Sequence, residues 1–89
     1  VTIANDIHPG CPESGECMRG PVLKKGCRLG VNAVVVPYVT IGEDTLVGAG
    51  SVVTKDLPAG VLAYGNPARV KARLSELKCK TGRREAPYL

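Results

Sequence analysis

The sequence predicts an all-β fold, a parallel β-helix with a short C-terminal helix. Three observations carry the prediction. Leu23, Leu29, Val35, Ile41, Val47 and Val53 form an unbroken series of aliphatic residues six positions apart. The position after the aliphatic is glycine at Gly30, Gly42 and Gly48, and the fifth is small or short-branched at Cys27, Ala33, Val39, Thr45 and Ser51. The 89 residues include no Phe, no Trp and only three Tyr, so Val, Ile, Leu and Ala must fill whatever interior exists. Such residues suit a narrow prism better than a wide core.

A helix repeats near 3.6 residues and a strand near 2, so a period of six belongs to neither alone. On a helix, residues six apart fall on nearly opposite faces. Hairpin turns do not recur at so short and regular an interval, so an antiparallel sheet fails as well. Hexapeptide periods mark a parallel β-helix, in which each repeat is one short strand plus a turn, and three repeats make a triangular coil of about 18 residues. The aliphatic points inward, the small residue fits the corner, and glycine is expected to relieve the backbone at the bend.

The chain then reads in order as a single β-helix domain, residues 1–89, with coils over about 1–64. Residues 1–6 form a strand with Ile3 inward. Residues 8–20, HPGCPESGECMRG, break the register with Gly, Pro and polar residues and read as a loop extruded from a corner. Long loops inside compact repeats are often functional, although a tolerated insertion has the same appearance. Coil one runs from Leu23 to Thr40 and coil two from Ile41 to Pro58, stacking Leu23 on Ile41, Leu29 on Val47 and Val35 on Val53. Val61 to Tyr64 supply a last partial strand and YGNP, residues 64–67, a turn. Val70, Leu74 and Leu77 lie at i, i+4 and i+7, which predicts a short amphipathic helix closing near Cys79, with the C-terminal region spanning about 68–89. A repeat stack needs a polar cap against end-to-end association, and this helix is the expected cap. Gly82 marks its limit, and REAPYL is an irregular tail.

A chain this short is marginal as an isolated globule, so assembly is expected to supply burial. Outward residues such as Val34, Val36, Leu46 and Val52 need cover. The chain starts with Val rather than Met, so sequence lost at its start is one expectation. No run of 18 apolar residues and no leader is present, which predicts a protein without a membrane partner. Cys11, Cys17, Cys27 and Cys79 do not look like a disulfide framework, and reduced thiols in a cytoplasmic protein are the better expectation. The net charge of +4 is uneven: residues 1–68 carry five basic and six acidic side chains, residues 69–89 seven basic and two acidic. A basic end fits nucleic acid or a phosphorylated small molecule, but no aromatic interleaving and no nucleic-acid motif accompany it.

The stretch VGAGSVVTKDLPAGVLAYGNPARV, residues 47–70, resembles the terminal coil of hexapeptide-repeat acyltransferases. The wider pattern is ND-x-HP with Cys11 and Cys17 in the loop, GPVLKKGCRLGVNAVVVPYVTIG, and a tail like ELKCKTG…PY. It is most similar to the sugar N-/O-acetyltransferase branch. The resemblance covers nearly the whole chain, although members usually carry several more coils before the ND motif. It implies a left-handed parallel β-helix, a homotrimer, and acetyl-CoA lying in the groove between neighbouring copies. It also implies transfer of the acetyl group to an amino or hydroxyl group of a sugar, which includes nucleotide-linked sugars. Carried over motif by motif, Val31 and Ala49 offer backbone groups to the pantetheine arm, Thr54 and Lys55 lie near the adenine end, and Arg69 lies near the phosphates. Cationic Lys55 and Arg69 suit phosphate, the planar guanidinium especially. His8 is the general base on the acceptor, because imidazole titrates near working pH, and Asn5 and Asp6 position the sugar or the histidine.

Plainer readings stand beside these. Gly48 and Gly50 serve the turns with or without a ligand. Lys55 and Asp56 read equally as a solvated corner, Arg69 as a solubilising charge on the terminal helix, and His8 as an ordinary loop residue. A non-catalytic β-helix that trimerises and binds CoA is a second reading. A third is a structural metal site in the 8–17 loop, from His8, Cys11 and Cys17 with Cys79. These are zinc-binding types, but the spacing is no zinc-finger pattern, so no metal is expected. The carbonic anhydrase branch of the superfamily needs several histidines, and this sequence has one.

Overall fold

The computed structural model describes residues 1–7, 9–78 and 80–82. Its principal extents are 53 × 21 × 16 Å, a rod built from seven two-residue strands and a longer closing pair. Three parallel faces run along it. Face 1 holds β1 (Thr2–Ile3), β4 (Val34–Val35) and β7 (Val52–Val53). Face 2 holds β2 (Val22–Leu23) and β5 (Thr40–Ile41), with Leu57 bridged to Ile41. Face 3 holds β3 (Arg28–Leu29), β6 (Leu46–Val47), β8 (Val61–Gly65) and β9 (Ala68–Arg73).

The pairing follows the hexad series. Leu23 stands over Ile41, Leu29 over Val47 and Val35 over Val53, each pair 18 residues apart. Val35, Ile41, Val47 and Val53 are fully buried, and so are Ala33, Thr45 and Ser51 of the small-residue column. Ile3 is in register with Val35, on the inward column as expected, but β1 to β3 pair on one side only among the described residues. Ile3 and Leu23 are therefore still exposed. The outward aliphatics Val34, Val36, Leu46 and Val52 are all half-buried, and Val36 also packs against the core.

The glycines do a different job from the one expected. Gly30, Gly42 and Gly48 do not have positive φ. They are small because the next coil passes so close: a Cβ at Gly30 would lie 2.6 Å from the Ala49 amide nitrogen, and one at Gly42 2.4 Å from that of Ala59. The bends are made two positions further along each hexad, at Gly26, Asn32, Tyr38, Asp44 and Gly50, whose φ values are 77°, 57°, 67°, 61° and 69°. Four of these five are Gly, Asn or Asp, the types that enter the left-handed region most readily.

The last coil departs from 18 residues. Leu46 pairs with Leu62 and Ile41 with Leu57, both 16 residues on, so coil two does not run evenly to Pro58. Leu57 goes inside where the even count would put Ala59. The shortening leaves backbone groups without their ladder partners, and side chains replace them. The Asp56 carboxylate accepts from the Thr40 N–H at 2.8 Å, where the regular coil would offer a carbonyl. The buried Thr45 hydroxyl donates to the Pro58 carbonyl, and the Ser51 oxygen accepts from the Gly65 N–H at 3.2 Å. No buried side-chain polar atom among the described residues lacks a partner.

The predicted C-terminal helix is a strand. β9 folds back antiparallel on β8 after the turn at Asn66–Pro67, joined by a cis peptide bond, and only a single 3-10 turn, Leu74–Glu76, follows. Val70 pairs with Ala63 and is half exposed, so it is no part of an apolar helical stripe. The competing force is the free edge of β8: a strand satisfies its N–H and C=O groups, while a helix would leave them bare. Leu74, whose N–H donates to the Gly60 carbonyl at 3.0 Å, is buried and closes the end of the rod. The cap is thus a hairpin with a plug. Cys79 and the tail from residue 83 lie outside the described residues.

Candidate active site

Two of the rod's three corners carry the expected site residues. The corner from face 3 to face 1, here the glycine corner, is made of Gly30–Val31–Asn32 on one coil and Gly48–Ala49–Gly50 on the next. The Gly50 N–H donates to the Val31 carbonyl at 2.8 Å, which ties the two coils together at this edge. Val31 is 74% exposed, and Ala49 and Gly50 are exposed too. Tyr64 covers Gly48, since a Cβ there would meet the tyrosine Cβ at 2.8 Å. The result is a smooth edge running along the stack, with small side chains and accessible backbone. Arg69 pairs with Tyr64 across the β8–β9 hairpin, which sets its exposed guanidinium beside this edge, with Nη1 3.5 Å from the Ala68 carbonyl.

The corner from face 1 to face 2, the loop corner, is of opposite character. Asn5 and Asp6 follow β1 there, Tyr38 follows β4, and Thr54, Lys55 and Asp56 follow β7. Asn5, Tyr38, Thr54 and Lys55 are exposed and Asp6 is half-buried. The predicted loop leaves this corner, carries one helical turn, α1 (Ser14–Cys17), and returns to β2. The Arg19 N–H donates to the Asn5 carbonyl at 2.8 Å and closes its base. His8 lies outside the described residues.

The structure therefore brings Val31 and Ala49 together with Arg69 nearby, and groups Asn5, Asp6, Thr54 and Lys55 on another edge. Face 1, with Thr2, Val34 and Val52 outward, separates the two sets. Two hollows of about 570 and 490 Å³ lie elsewhere, one lined by Lys24, Lys25, Gly26, Glu43 and Asp44 and the other between Pro58–Val61 and Val70–Arg73. Neither includes an expected site residue. An extended ligand lying along an open edge needs no enclosed cavity in one chain. Among the described residues no group of three His, Cys, Asp or Glu is placed to hold a metal ion; His8 and Cys79, half of the conceivable set, are not among them. Cys11, Cys17 and Cys27 are free thiols.

Three groups in these corners escaped the reading of the sequence. Tyr38 and Arg19 fasten the loop, and Asp56, exposed as a solvated corner would have it, is also a hydrogen-bond acceptor for the backbone. Tyr38 had a visible signal, as the one bulky residue in a column of Gly, Asn and Asp.

Residues 20–55 match the family "Bacterial transferase hexapeptide (six repeats)". The chain carries the hexapeptide repeats of that family over these residues. The hexapeptide-repeat chain is 51% identical over 59 residues to the dTDP-3-amino-3,6-dideoxy-alpha-D-galactopyranose 3-N-acetyltransferase of Aneurinibacillus thermoaerophilus, covering 66% of this chain and 31% of that protein. It is 35% identical over 85 residues to the galactoside O-acetyltransferase of Lactococcus lactis, covering 91% of this chain and 41% of that one. Among solved structures it is similar to serine acetyltransferase from Brucella abortus strain S19 in complex with coenzyme A. The TM-score there is 0.61 and the identity 32%, over 63% of this chain and 22% of that one. The chain spans 31% and 41% of the length of the two curated relatives. Among the described residues no helix is long and apolar enough to cross a membrane.

Proposed function

We propose that the protein transfers an acetyl group from acetyl-CoA to an amino or hydroxyl group of a sugar, a nucleotide-linked sugar included. It would do so as a left-handed β-helix assembled in threes in the cytoplasm. The observation that carries this reading is the glycine corner. Val31 and Ala49 stack on consecutive coils along an edge with little side-chain bulk, and an extended arm with amides at intervals can pair with the outward backbone there. Arg69 beside that edge suits the phosphates by charge and by its planar donor fork. Thr54 and Lys55, on the loop corner, take the adenine end from a neighbouring copy.

On this reading Asn5 and Asp6 hold the acceptor, and His8 accepts its proton. The acceptor nitrogen or oxygen attacks the thioester carbonyl, its proton passes to the imidazole, the C–S bond breaks, and CoA leaves as the thiol once that proton is returned. The two carbohydrate-acting relatives support the acceptor class, and the relative solved with coenzyme A supports the donor. Because Val31, Ala49 and Arg69 lie at one corner of the chain and Asn5, Asp6, Thr54 and Lys55 at another, the complete site forms where one copy's glycine corner faces the next copy's loop corner.

The test is CoA release from acetyl-CoA with a panel of amino and hydroxyl sugars, free and nucleotide-linked, for the protein and for His8→Ala. Turnover is expected with at least one acceptor. The variant is expected to lose about 10²- to 10⁴-fold in kcat with the CoA dissociation constant unchanged. CoA binding without turnover on any acceptor would favour the non-catalytic binding module. Zinc release or melting on His8→Ala would favour a metal site.

A further inference from the structure

The loop corner carries a set of contacts that the proposed chemistry does not use. Of the corner residues in the left-handed column, Gly26, Asn32, Asp44 and Gly50 tolerate that conformation well; Tyr38, at φ 67°, does not. A bulky residue persists in such a conformation where its surroundings over-determine it. The surroundings of Tyr38 belong to the extruded loop. Its phenol donates to the Cys17 carbonyl at the end of α1. The Arg19 guanidinium sits 5.4 Å from the centroid of its ring, within cation–π range. The Arg19 N–H in turn holds the Asn5 carbonyl, so the end of the loop is tied to its beginning. Tyr38 remains 45% exposed, so these contacts lie on the surface and the core does not depend on them.

We infer that Tyr38 is a positioning residue that pins the loop between β1 and β2 onto its corner and thereby fixes Asn5 and Asp6 for the acceptor. The acceptor half of this inference rests on the function proposed above; the pinning half stands on the contacts alone. A tyrosine needed only for the fold and a tyrosine that pins a loop predict opposite things on replacement by glycine. Glycine relieves the left-handed backbone, so it leaves the fold intact while it frees the loop.

The experiment compares Tyr38→Phe, Tyr38→Gly and Arg19→Ala with the unsubstituted protein. Three quantities are measured: alkylation of Cys17 by iodoacetamide relative to Cys27, followed by peptide mass spectrometry; the thermal midpoint; and KM for acceptor and for acetyl-CoA. Cys17 is expected to react about three- to tenfold faster relative to Cys27 in Tyr38→Phe, the effect of one ordinary hydrogen bond on local opening, and faster still in Tyr38→Gly. Arg19→Ala is expected to speed it as well. The midpoint of Tyr38→Gly should be unchanged or raised, and KM should rise for the acceptor only. An unchanged Cys17 to Cys27 ratio in both tyrosine variants overturns the pinning. A lowered midpoint in Tyr38→Gly also overturns it, by assigning the residue to the fold. Faster Cys17 alkylation with an unchanged acceptor KM overturns the positioning of Asn5 and Asp6. If the unsubstituted protein turns over no acceptor, the proposed function fails, and the alkylation ratio still decides whether Tyr38 pins the loop.

Discussion

The glycine corner and the loop corner are built from the same hexad, yet they tolerate change in opposite ways. At the glycine corner successive coils touch backbone to backbone: the position of a Gly30 Cβ is already within 2.6 Å of the Ala49 nitrogen and 2.9 Å of the Gly48 carbonyl carbon. At the loop corner side chains do the joining. Asp56 accepts from the Thr40 amide, Tyr38 holds the Cys17 carbonyl, and the chain spends residues 4–21 between two strands without losing register on either side. The difference teaches where each kind of function can be housed. A corner with little side-chain bulk presents backbone to a long thin ligand, whereas a corner made of side chains can carry charge, a base and a loop.

The largest effect expected from this contrast is on stability. Gly30→Ala forces a methyl group into backbone atoms that cannot rotate away, and should cost about 3 kcal/mol or more in a denaturant titration, at the upper end for overpacking. A smaller effect concerns the ligand. Arg69→Ala should weaken CoA binding by about 1 to 3 kcal/mol while leaving a pantetheine analogue nearly unaffected, since only the former presents phosphate. Calorimetry with both ligands checks this, and equal losses for the two would make Arg69 a shaper of the edge instead of a phosphate contact. The smallest effect belongs to the loop corner. Asp56→Ala removes the acceptor for one exposed-edge amide and should cost about 1 kcal/mol in the same titration as Gly30→Ala. If the two substitutions cost the same, the contrast between the corners is wrong.

How much of this was legible in the sequence depends on whether a position answers to the repeat or to a neighbour. The inward column, Leu23 to Val53, was readable because every member meets the same requirement, an aliphatic of limited size inside a narrow prism. The bend column, Gly26 to Gly50, is equally visible, but the glycines that follow the aliphatics, Gly30, Gly42 and Gly48, look like the bends in the sequence, whereas close contact between coils is what keeps them small. The shortened last coil was not readable, because Leu57 and Ala59 both qualify as inward residues and the choice is made by side-chain hydrogen bonds, accepted by Asp56 and Ser51 and donated by Thr45. Val70, Leu74 and Leu77 fit a helix as a local pattern, and the open edge of β8 overrode it. The grouping of Val31 with Ala49 followed from their spacing of one coil. The separation of Lys55 from Arg69 did not show in the sequence, since it depends on the hairpin returning to face 3.

That separation underlies the central claim of the proposed function: the edge of Val31, Ala49 and Arg69 and the edge of Asn5, Asp6, Thr54 and Lys55 lie apart on one chain, and in the proposed assembly a second copy joins them. Mixing two inactive variants tests it most directly. Ala49→Trp obstructs the exposed glycine corner, and on the proposed mechanism His8→Ala removes the base that serves the acceptor, so neither alone should form a working site. Coexpressed in equal amounts and assembled at random into a closed ring with head-to-tail contacts, they should recover about a quarter of the native rate, because one interface in four then pairs an intact glycine corner with an intact loop corner. Mixed assemblies, verified by two different affinity tags, that show no acetyl transfer would contradict the account and return the whole site to a single chain.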